Sequence, residues 1–229
     1  MQGHTACWRL YRRNAAPHSC AAGRSNQRAM IVTEPHTLRG LVGLPTTPAS
    51  LKDSALIMID CQNTYLEGIM KLQGVEGAIE ICKTMLYRAR QEGAQVVHIR
   101  HDAGPGSPYD VSGHIGAIAD VVKPLSGEPV ITKNYPSSFE KTTLDEELKK
   151  RGVKNLVYVG FMTHMCVNST ARAGFNLGYA GTVVAPATAT RDLPNPAGGV
   201  VPAAEVHRAA LASVGDLFAI VVNDPAAIP

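Results

Sequence analysis

The apolar residues of this chain fall into short continuous runs that alternate with helical patterns. The run at 55–59 holds the apolar residues ALIMI and is followed directly by Asp60, which is typical of a buried strand in a parallel sheet. From position 75 to 89 the apolar residues recur every three or four positions, and Gly93 follows. This spacing predicts an amphipathic helix that ends at the glycine. The body of the chain is therefore predicted to open with a strand and a helix.

The alternation of strands and helices continues toward the C terminus. Further strands are predicted at 95–100, 129–133, 156–159, 182–185 and 217–222, and further helices at 143–151, 164–178 and 205–214. This order predicts βαβ units with right-handed crossovers and helices on both faces of the sheet. The predicted fold class is α/β, a three-layer αβα arrangement around a doubly wound six-stranded parallel sheet. Neither a repeat nor an interior linker is seen, so residues 31–229 are predicted to form one domain.

Composition changes this picture mainly at the N terminus. Hydrophobic residues make up 45% of the 229 positions, enough for a substantial core. The net charge of +3 comes from arginines that precede the first acidic residue, Glu34, and the remainder is close to neutral. Because no basic patch lies beside aromatic residues, no nucleic-acid partner is predicted. No run of about 18 apolar residues occurs, so no membrane partner is predicted either.

Residues 1–30 contain Arg, Ala and Ser but no acid. Three interpretations stay open: a mitochondrial or plastid transit peptide, a disordered tail, and an extension upstream of a start at Met30. The cysteines are irregularly spaced and form no CxxC pair, which argues against a disulfide framework or zinc finger and favours a reducing compartment. The predicted location is the cytoplasm, or an organelle if residues 1–30 are a transit peptide.

Three chemically active residues stand at the carboxyl ends of predicted strands. Asp60 follows the first strand, Lys133 closes the third, and Cys166 follows the fourth at the start of a predicted helix. Alone, each has a plain alternative: a turn residue, an exposed lysine and a small core residue. Ligands of open parallel sheets bind at this edge, so the coincidence favours a shared site.

The three residue types fit nucleophilic catalysis. A thiolate is the reactive form of cysteine, and a helix N terminus and a nearby ammonium are expected to lower the pKa of Cys166. The carboxylate of Asp60 can accept the thiol proton and later return it to a leaving amine, while Lys133 stabilises both anionic forms. Backbone N–H groups in the turn before the helix can receive an oxyanion.

Three segments together resemble the isochorismatase-like cysteine hydrolase superfamily: ALIMIDCQNTYL, VITKNYPSSF and VGFMTHMCVNSTARAGFNLGY. The resemblance spans roughly residues 52–222 and implies a Rossmann-like fold with a catalytic triad of Asp60, Lys133 and Cys166. Among superfamily members, the motif version is closest to unassigned cysteine hydrolases and streptothricin hydrolase-like proteins.

The resemblance also implies details of the turn before the nucleophile. It predicts a cis peptide bond between Phe161 and Met162 and an oxyanion hole formed by the backbone N–H groups of Met162 and Cys166. The metal cluster of nicotinamidases is not expected, because His98 and His101 lie three apart on a strand and point to opposite faces. No metal and no cofactor are therefore predicted, and nicotinamidase activity is disfavoured.

Four further residues are candidates for substrate binding, each with a structural alternative. Gln62 lies two residues after Asp60 and could serve a turn instead. Tyr65 and Phe139 could line an aromatic slot or simply pack in the core. His164 could contact substrate or cap the helix.

The predicted function is that of a metal-independent cysteine hydrolase. It would cleave a C–N bond of a small amide, lactam or ureido compound through a Cys166 thioester. The alternatives are a vinyl-ether hydrolase of the isochorismatase type and a non-catalytic small-molecule-binding protein of the same fold. A dinucleotide-binding domain is disfavoured, because no G-x-G-x-x-G follows the first strand. A homo-oligomer is expected.

Overall fold

The computed structural model describes residues 35–229. Its strands are β1 Ser54–Ile59, β2 Gln95–His101, β3 Val130–Lys133, β4 Asn155–Phe161, β5 Ala180–Ala189, β6 Leu193–Pro194, β7 Val200–Val201 and β8 Ala219–Val222. Six of them form a central sheet in which all neighbouring strands are parallel, in the order β3-β2-β1-β4-β5-β8. The predicted α/β fold class is confirmed. The strand order reverses between β1 and β4, which is where sheets of this kind open a ligand crevice.

Helices cover both faces of the sheet. They are α1 Leu38–Leu41, α2 Val75–Glu92, α3 Leu144–Lys150, α4 Asn168–Asn176 and α5 Ala203–Gly215. Every residue of β1 is buried, and its side chains alternate between two apolar clusters. Leu56 and Met58 pack in the cluster that contains α2, whereas Ile57 and Ile59 pack in the cluster that contains residues of α3, α4 and α5. This two-sided burial explains why β1 is a continuous apolar run.

Two of the differences between the structure and the predictions concern the turn around Cys166 and the loop after β5. The predicted helix at 164–178 opens with one turn of π-helix, Thr163–Val167, and only then continues as α4. Cys166 therefore lies inside a π-helical turn and not in the first turn of an α-helix, a feature that often marks functional sites. The loop at 191–202 contains the short antiparallel pair β6 and β7, which was not predicted.

Gly160 has a backbone conformation in which a side chain would collide with β1, at the point where β4 runs beside β1 next to the site. It pairs with Ile59 and has a φ of 112°. A Cβ atom at this position would lie 1.9 Å from the carbonyl oxygen of Ile59. Only glycine fits such an approach, so the strand that leads to Cys166 runs directly beside the strand that leads to Asp60.

The prediction for residues 1–30 lies outside the described part of the chain, so its three interpretations stay open. Within residues 35–229, none of the helices has the length and apolar character needed to cross a bilayer.

Candidate active site

The ends of β1, β3 and β4 bring the three predicted residues together. Asp60 follows β1, Lys133 is the last residue of β3, and Cys166 lies in the π-helical turn after β4. Their exposed fractions are 0%, 1% and 5%, respectively. The Nζ atom of Lys133 is 2.8 Å from Oδ2 of Asp60 and donates a hydrogen bond to Sγ of Cys166 at 3.3 Å. The ammonium group therefore joins the carboxyl group to the thiol.

The histidine at the end of β2 completes the environment of the lysine. His101 is the register partner of Lys133, and its Nδ1 atom lies 3.2 Å from the lysine Nζ. Since an ammonium group only donates, Nδ1 must accept, which leaves the imidazole neutral with its proton on Nε2. Burial and the charge of Lys133 lower the pKa of His101 in the same sense. Asp60, Cys166 and His101 thus provide partners for the three N–H donors of the ammonium.

Electrostatics at the site favour an ion pair beside a neutral thiol. Burial opposes the charge on Lys133, but Asp60 and Cys166 outweigh it and the pKa of Lys133 is raised. Burial raises the pKa of Asp60, and the charge and hydrogen bond of Lys133 oppose this shift. Burial, followed by the charge of Asp60, raises the pKa of Cys166 to about 12.

The expectation of a lowered cysteine pKa is therefore wrong for this structure. The ammonium of Lys133 does favour the thiolate, but the loss of solvent and the adjacent carboxylate of Asp60 count for more. Besides the ion pair with Lys133, the carboxyl group of Asp60 interacts with the thiol of Cys166, and no further hydrogen bond to its oxygens is seen among residues 35–229. Asp60 is thus a buried base with an oxygen available to take a proton from the thiol.

Asp60 is also held in an uncommon backbone conformation. Its φ is 49°, in the left-handed region that non-glycine residues seldom occupy. Such conformations cost about 1–3 kcal/mol and persist where the surrounding structure imposes them. Here the backbone N–H of Asp60 donates to the carbonyl of Ile99, and that of Gln62 donates to the carbonyl of Asp60. The turn fixes the direction in which the carboxyl group leaves the strand.

The family of the chain follows from a comparison with known proteins. The model of the Isochorismatase domain matches residues 54–224, which contain the whole six-stranded sheet and all three residues of the site. The chain belongs to the isochorismatase family. It is a hydrolase of that family.

Relatives in the isochorismatase family carry several names. The chain is 37% identical over 188 residues to the secreted isochorismatase effector Isc1 of Verticillium dahliae, covering 82% of this chain and 96% of the relative. It is 31% identical over 215 residues to streptothricin hydrolase of Streptomyces noursei, covering 92% and 84%. A ureidoacrylate amidohydrolase, RutB of Caulobacter segnis, is 33% identical over 189 residues, covering 65% and 79%.

Solved structures of the isochorismatase family agree with the fold. The crystal structure of an isochorismatase from Pseudomonas putida KT2440 superposes with a TM-score of 0.79 at 39% identity, covering 82% of this chain and 96% of that chain. An isochorismatase-family hydrolase structure from Chromobacterium violaceum gives a TM-score of 0.71 at 29% identity, covering 78% and 94%. The resemblance stated from the sequence is thereby confirmed.

The turn before Cys166 has the backbone geometry that membership of the isochorismatase family led us to expect. The peptide bond between Phe161 and Met162 is cis. The carbonyl of Met162 accepts hydrogen bonds from the N–H groups of Met165 and Val167, which closes the turn around Cys166. The oxyanion role of the N–H groups of Met162 and Cys166 stays a prediction.

Gln62 and Tyr65 lie close to the triad but are engaged with the protein. The buried amide of Gln62 donates to the carbonyls of His101 and Gly116 and accepts from the N–H of His101. These bonds fix the end of β2, so the contacts of Gln62 favour a positioning role over direct substrate binding. The buried ring of Tyr65 packs edge-on against that of Phe161, and its hydroxyl donates to the hydroxyl of Tyr109 at 3.4 Å.

Phe139 and His164 lie on different sides of the predicted site. Phe139 stacks on Tyr179 with ring centroids 5.7 Å apart, within the cluster under α4, so its contacts favour packing. His164 is half-buried and its Nδ1 atom is hydrogen-bonded to Oγ1 of Thr190 at the end of β5. A substrate contact stays a prediction for each of these four residues, and the geometry favours it most for His164.

Residues that the sequence did not reveal also reach this edge of the sheet. Tyr109 packs edge-on against His101, with ring centroids 5.0 Å apart, and burial raises its pKa. Arg191 follows the end of β5 and is exposed. Burial and then the charge of Arg191 lower the pKa of His164, which places the guanidinium near the histidine. In the sequence, only the positions of Tyr109 after β2 and Arg191 after β5 could have pointed to these residues.

No metal-binding group is seen in the part of the chain that the structure covers. Among residues 35–229, no three or more His, Cys, Asp or Glu side chains are arranged to hold a metal ion. His98 lies away from the triad with its Nε2 atom 3.0 Å from Glu128, whereas His101 contacts Lys133. The two histidines thus face opposite sides, and a metal-independent reaction stays a prediction.

The raised pKa of Cys166 predicts an unusual alkylation profile. Because most of the thiol stays protonated below its pKa of about 12, the rate of iodoacetamide labelling should still rise at about pH 9, near the pKa of a free cysteine. Rates of Cys166 modification, read by peptide mass spectrometry across pH, test this. Free cysteine in the same solutions is the control. A labelling rate that reaches its plateau below about pH 7 would show a lowered pKa and contradict the prediction.

Proposed function

We propose that this protein is a metal-independent cysteine hydrolase that cleaves a C–N bond of a small amide, lactam or ureido compound. The observation that carries the proposal is the ammonium of Lys133, which contacts the carboxylate of Asp60 at 2.8 Å and the sulfur of Cys166 at 3.3 Å. A base and a nucleophile joined in this way, at the carboxyl edge of a parallel sheet, suit acyl transfer through a covalent intermediate.

The proposed reaction begins with proton transfer from the thiol of Cys166 to Asp60. Sulfur attacks the substrate carbonyl, and the resulting oxyanion is received by the backbone N–H groups of Met162 and Cys166. Asp60 returns its proton to the nitrogen as the C–N bond breaks, and the amine leaves a thioester on Cys166. A water molecule then gives a proton to Asp60 and attacks the thioester. The acid is released as the C–S bond breaks, and the departing thiolate takes the proton from Asp60, which restores the thiol and the carboxylate.

The high pKa of Cys166 assigns most of the activation to Asp60. A thiol that is neutral in the free protein needs a base within reach when the carbonyl arrives. Proton transfer to Asp60 leaves a thiolate that keeps its hydrogen bond from Lys133. The positive charge of Lys133 is thus balanced by the carboxylate of Asp60 before the transfer and by the thiolate of Cys166 after it.

A relative named for amide hydrolysis supports this proposal over a vinyl-ether hydrolase. The ureidoacrylate amidohydrolase is 33% identical to this chain, and the relative named streptothricin hydrolase is 31% identical. The second candidate is hydrolysis of isochorismate, which the name of the Verticillium relative favours. Both candidates predict that a small-molecule substrate is turned over. A non-catalytic binding protein would bind such a molecule without using Asp60 as a base.

Arg191 favours a substrate with a negative charge. Its side chain is exposed next to His164, and no ion pair among residues 35–229 includes it. A carboxylate on the substrate would find a bidentate partner there.

We further propose that the protein is a cytoplasmic homo-oligomer. The Verticillium relative is named a secreted protein, which makes secretion the alternative location.

A substrate screen with product identification tests the proposal. Amides, ureas and lactams, each paired with a carboxylate-bearing analogue, are incubated with the protein, and isochorismate forms a separate arm. We expect release of an amine or ammonia, with the carboxylate analogue preferred, and loss of that preference in Arg191→Gln. Arg151→Gln, at an exposed arginine that contacts Gln95 at the opposite end of the sheet, is the matched control. Pyruvate released from isochorismate without C–N cleavage in any other arm would favour the second candidate.

A further inference from the structure

A cavity of about 450 Å³ lies at the opposite edge of the sheet from the triad. It is lined by the segment that follows α1, by Phe175 and Tyr179, and by the first residues of β4 and β5, Asn155 and Ala180. Cys166 lies beyond the other end of β4, and a seven-residue strand is about 20 Å long. The cavity is therefore separate from the proposed active site. Its volume lies in the range of small-molecule sites.

Arg39 supplies the only formal charge among the described residues that line this cavity. The residue is 6% exposed. Its Nη1 atom donates to the carbonyl of Pro45 at 3.1 Å, whereas its buried Nε atom has no hydrogen-bond partner among residues 35–229. No ion pair within that range includes Arg39. Burial without a counter-charge lowers its pKa.

Acidic groups close to the cavity are already engaged. The carboxylate of Asp216 accepts a hydrogen bond from the backbone N–H of Leu38 at 2.8 Å. Asp145 accepts from the hydroxyl of Tyr179 at 2.8 Å and forms an ion pair with Lys149 at 2.6 Å. Buried arginines are almost always paired, so Arg39 stands out as a buried cation without a counter-charge. An anionic group placed in the cavity would supply that counter-charge at the part of Arg39 that lines it.

We propose that this cavity is a second ligand site, which binds a small carboxylate with an apolar body through Arg39. The guanidinium presents a planar fork that matches a carboxylate. The walls formed by Leu44, Pro45, Phe175 and Ile220 provide apolar contact for the rest of the ligand. The site goes beyond the proposed hydrolase function and does not depend on it.

Benzoate is the probe for this site, with benzyl alcohol as the uncharged analogue at equal ionic strength. We expect benzoate, but not benzyl alcohol, to bind the full-length wild-type protein with a Kd of about 1 mM. Changes in backbone amide chemical shifts should map to 39–49, 175–181 and 220. Shifts confined to 160–167 and 191 would place benzoate in the active site and overturn the proposal, as would an absence of binding.

Substitution of Arg39 separates recognition of charge from a structural role. Arg39→Met keeps much of the side-chain packing and should weaken benzoate binding about 30-fold, because a buried carboxylate loses its partner. Arg208→Met, at an exposed arginine on α5, should leave the Kd unchanged. Equal binding by wild type and Arg39→Met would overturn the proposal. If Arg39→Met does not fold, Arg39→Lys and the wild-type shift map decide the question.

Discussion

Replacement of Cys166 by alanine is expected to abolish turnover while the protein stays folded. In the proposed mechanism the sulfur forms the covalent bond to substrate, and among residues 35–229 Cys166 is the only thiol that is hydrogen-bonded to Lys133. Removal of a catalytic nucleophile from a hydrolase costs about a millionfold in rate, and the loss here should be at least about 10⁴-fold. The side chain is small and its replacement removes only one buried sulfur atom. Steady-state turnover on the substrate found by screening, with a thermal melt of the same sample, measures both effects.

The matched control for this experiment is Cys82→Ala. Cys82 is also fully buried, but its sulfur donates to the carbonyl of Ala187 and lies in the core between α2 and the sheet. This variant should lose some stability and keep its turnover. Mass spectrometry of quenched wild-type reactions should show an acyl group on Cys166. Full activity in Cys166→Ala would eliminate the covalent mechanism and leave the fold as a scaffold for different chemistry.

The positions of the triad could be predicted from the sequence because strand ends are visible in it. A continuous apolar run marks β1 and its polar end places Asp60 at the sheet edge, and Lys133 closes β3 in the same way. In a parallel sheet the carboxyl ends of all strands meet at one edge, so local patterns were enough to bring distant residues together. The alternation of strands and helices predicted the doubly wound parallel sheet, whereas the Rossmann-like fold was implied by the family resemblance.

The electrostatics of the site could not be predicted in this way. A helix N terminus and an ammonium beside Cys166 suggested a lowered pKa, but the burial of the thiol reversed the sign. Burial depends on how β4, α4 and the following loops close over the residue, which is a tertiary property. The π-helical turn at Thr163–Val167 has the same origin, since no local spacing distinguishes it from the first turn of α4.

The contribution of His101 depends on strand register. Nothing near His101 in the sequence links it to Lys133, which lies 32 residues away. The two become neighbours only because β2 pairs with β3 so that His101 faces Lys133. Arg39 could not be identified in this way either, because an arginine on a short helix such as α1 is normally exposed, and only the structure shows that it is buried beside a cavity.

Breaking the Asp60–Lys133 pair should abolish turnover and reveal the cost of an unpaired buried charge. Lys133→Met removes the ammonium 2.8 Å from the carboxylate and leaves Asp60 fully buried without a counter-ion. Loss of one partner of a buried pair destabilises a protein by about 3–5 kcal/mol. The double variant Asp60→Asn/Lys133→Met buries no charge and should recover much of that stability, but not the turnover. Urea denaturation of the single and double variants measures the difference.

The loss of stability caused by Lys133→Met should increase as the pH rises. Burial raises the pKa of Asp60 and Lys133 opposes the shift, so Lys133→Met should raise that pKa further. A carboxyl group whose pKa is higher in the folded state favours folding when it is protonated, and this stability is lost as pH rises through the folded pKa. The variant should therefore be less destabilised at about pH 5 than at about pH 7.5.

An exposed ion pair of similar length provides the comparison for the buried one. Lys149 and Asp145 lie 2.6 Å apart on α3, with the lysine side chain 64% exposed. Lys149→Met should cost less than about 1 kcal/mol, because solvent replaces the lost partner. If Lys133→Met were no more destabilising than Lys149→Met, or if it retained turnover, the lysine would not hold the charge of Asp60 in the way that the geometry implies. The expected result, recovery of stability in the double variant without recovery of turnover, would separate the two roles of the pair. Charge balance alone would then account for folding. Proton transfer between Cys166 and Asp60 would account for catalysis.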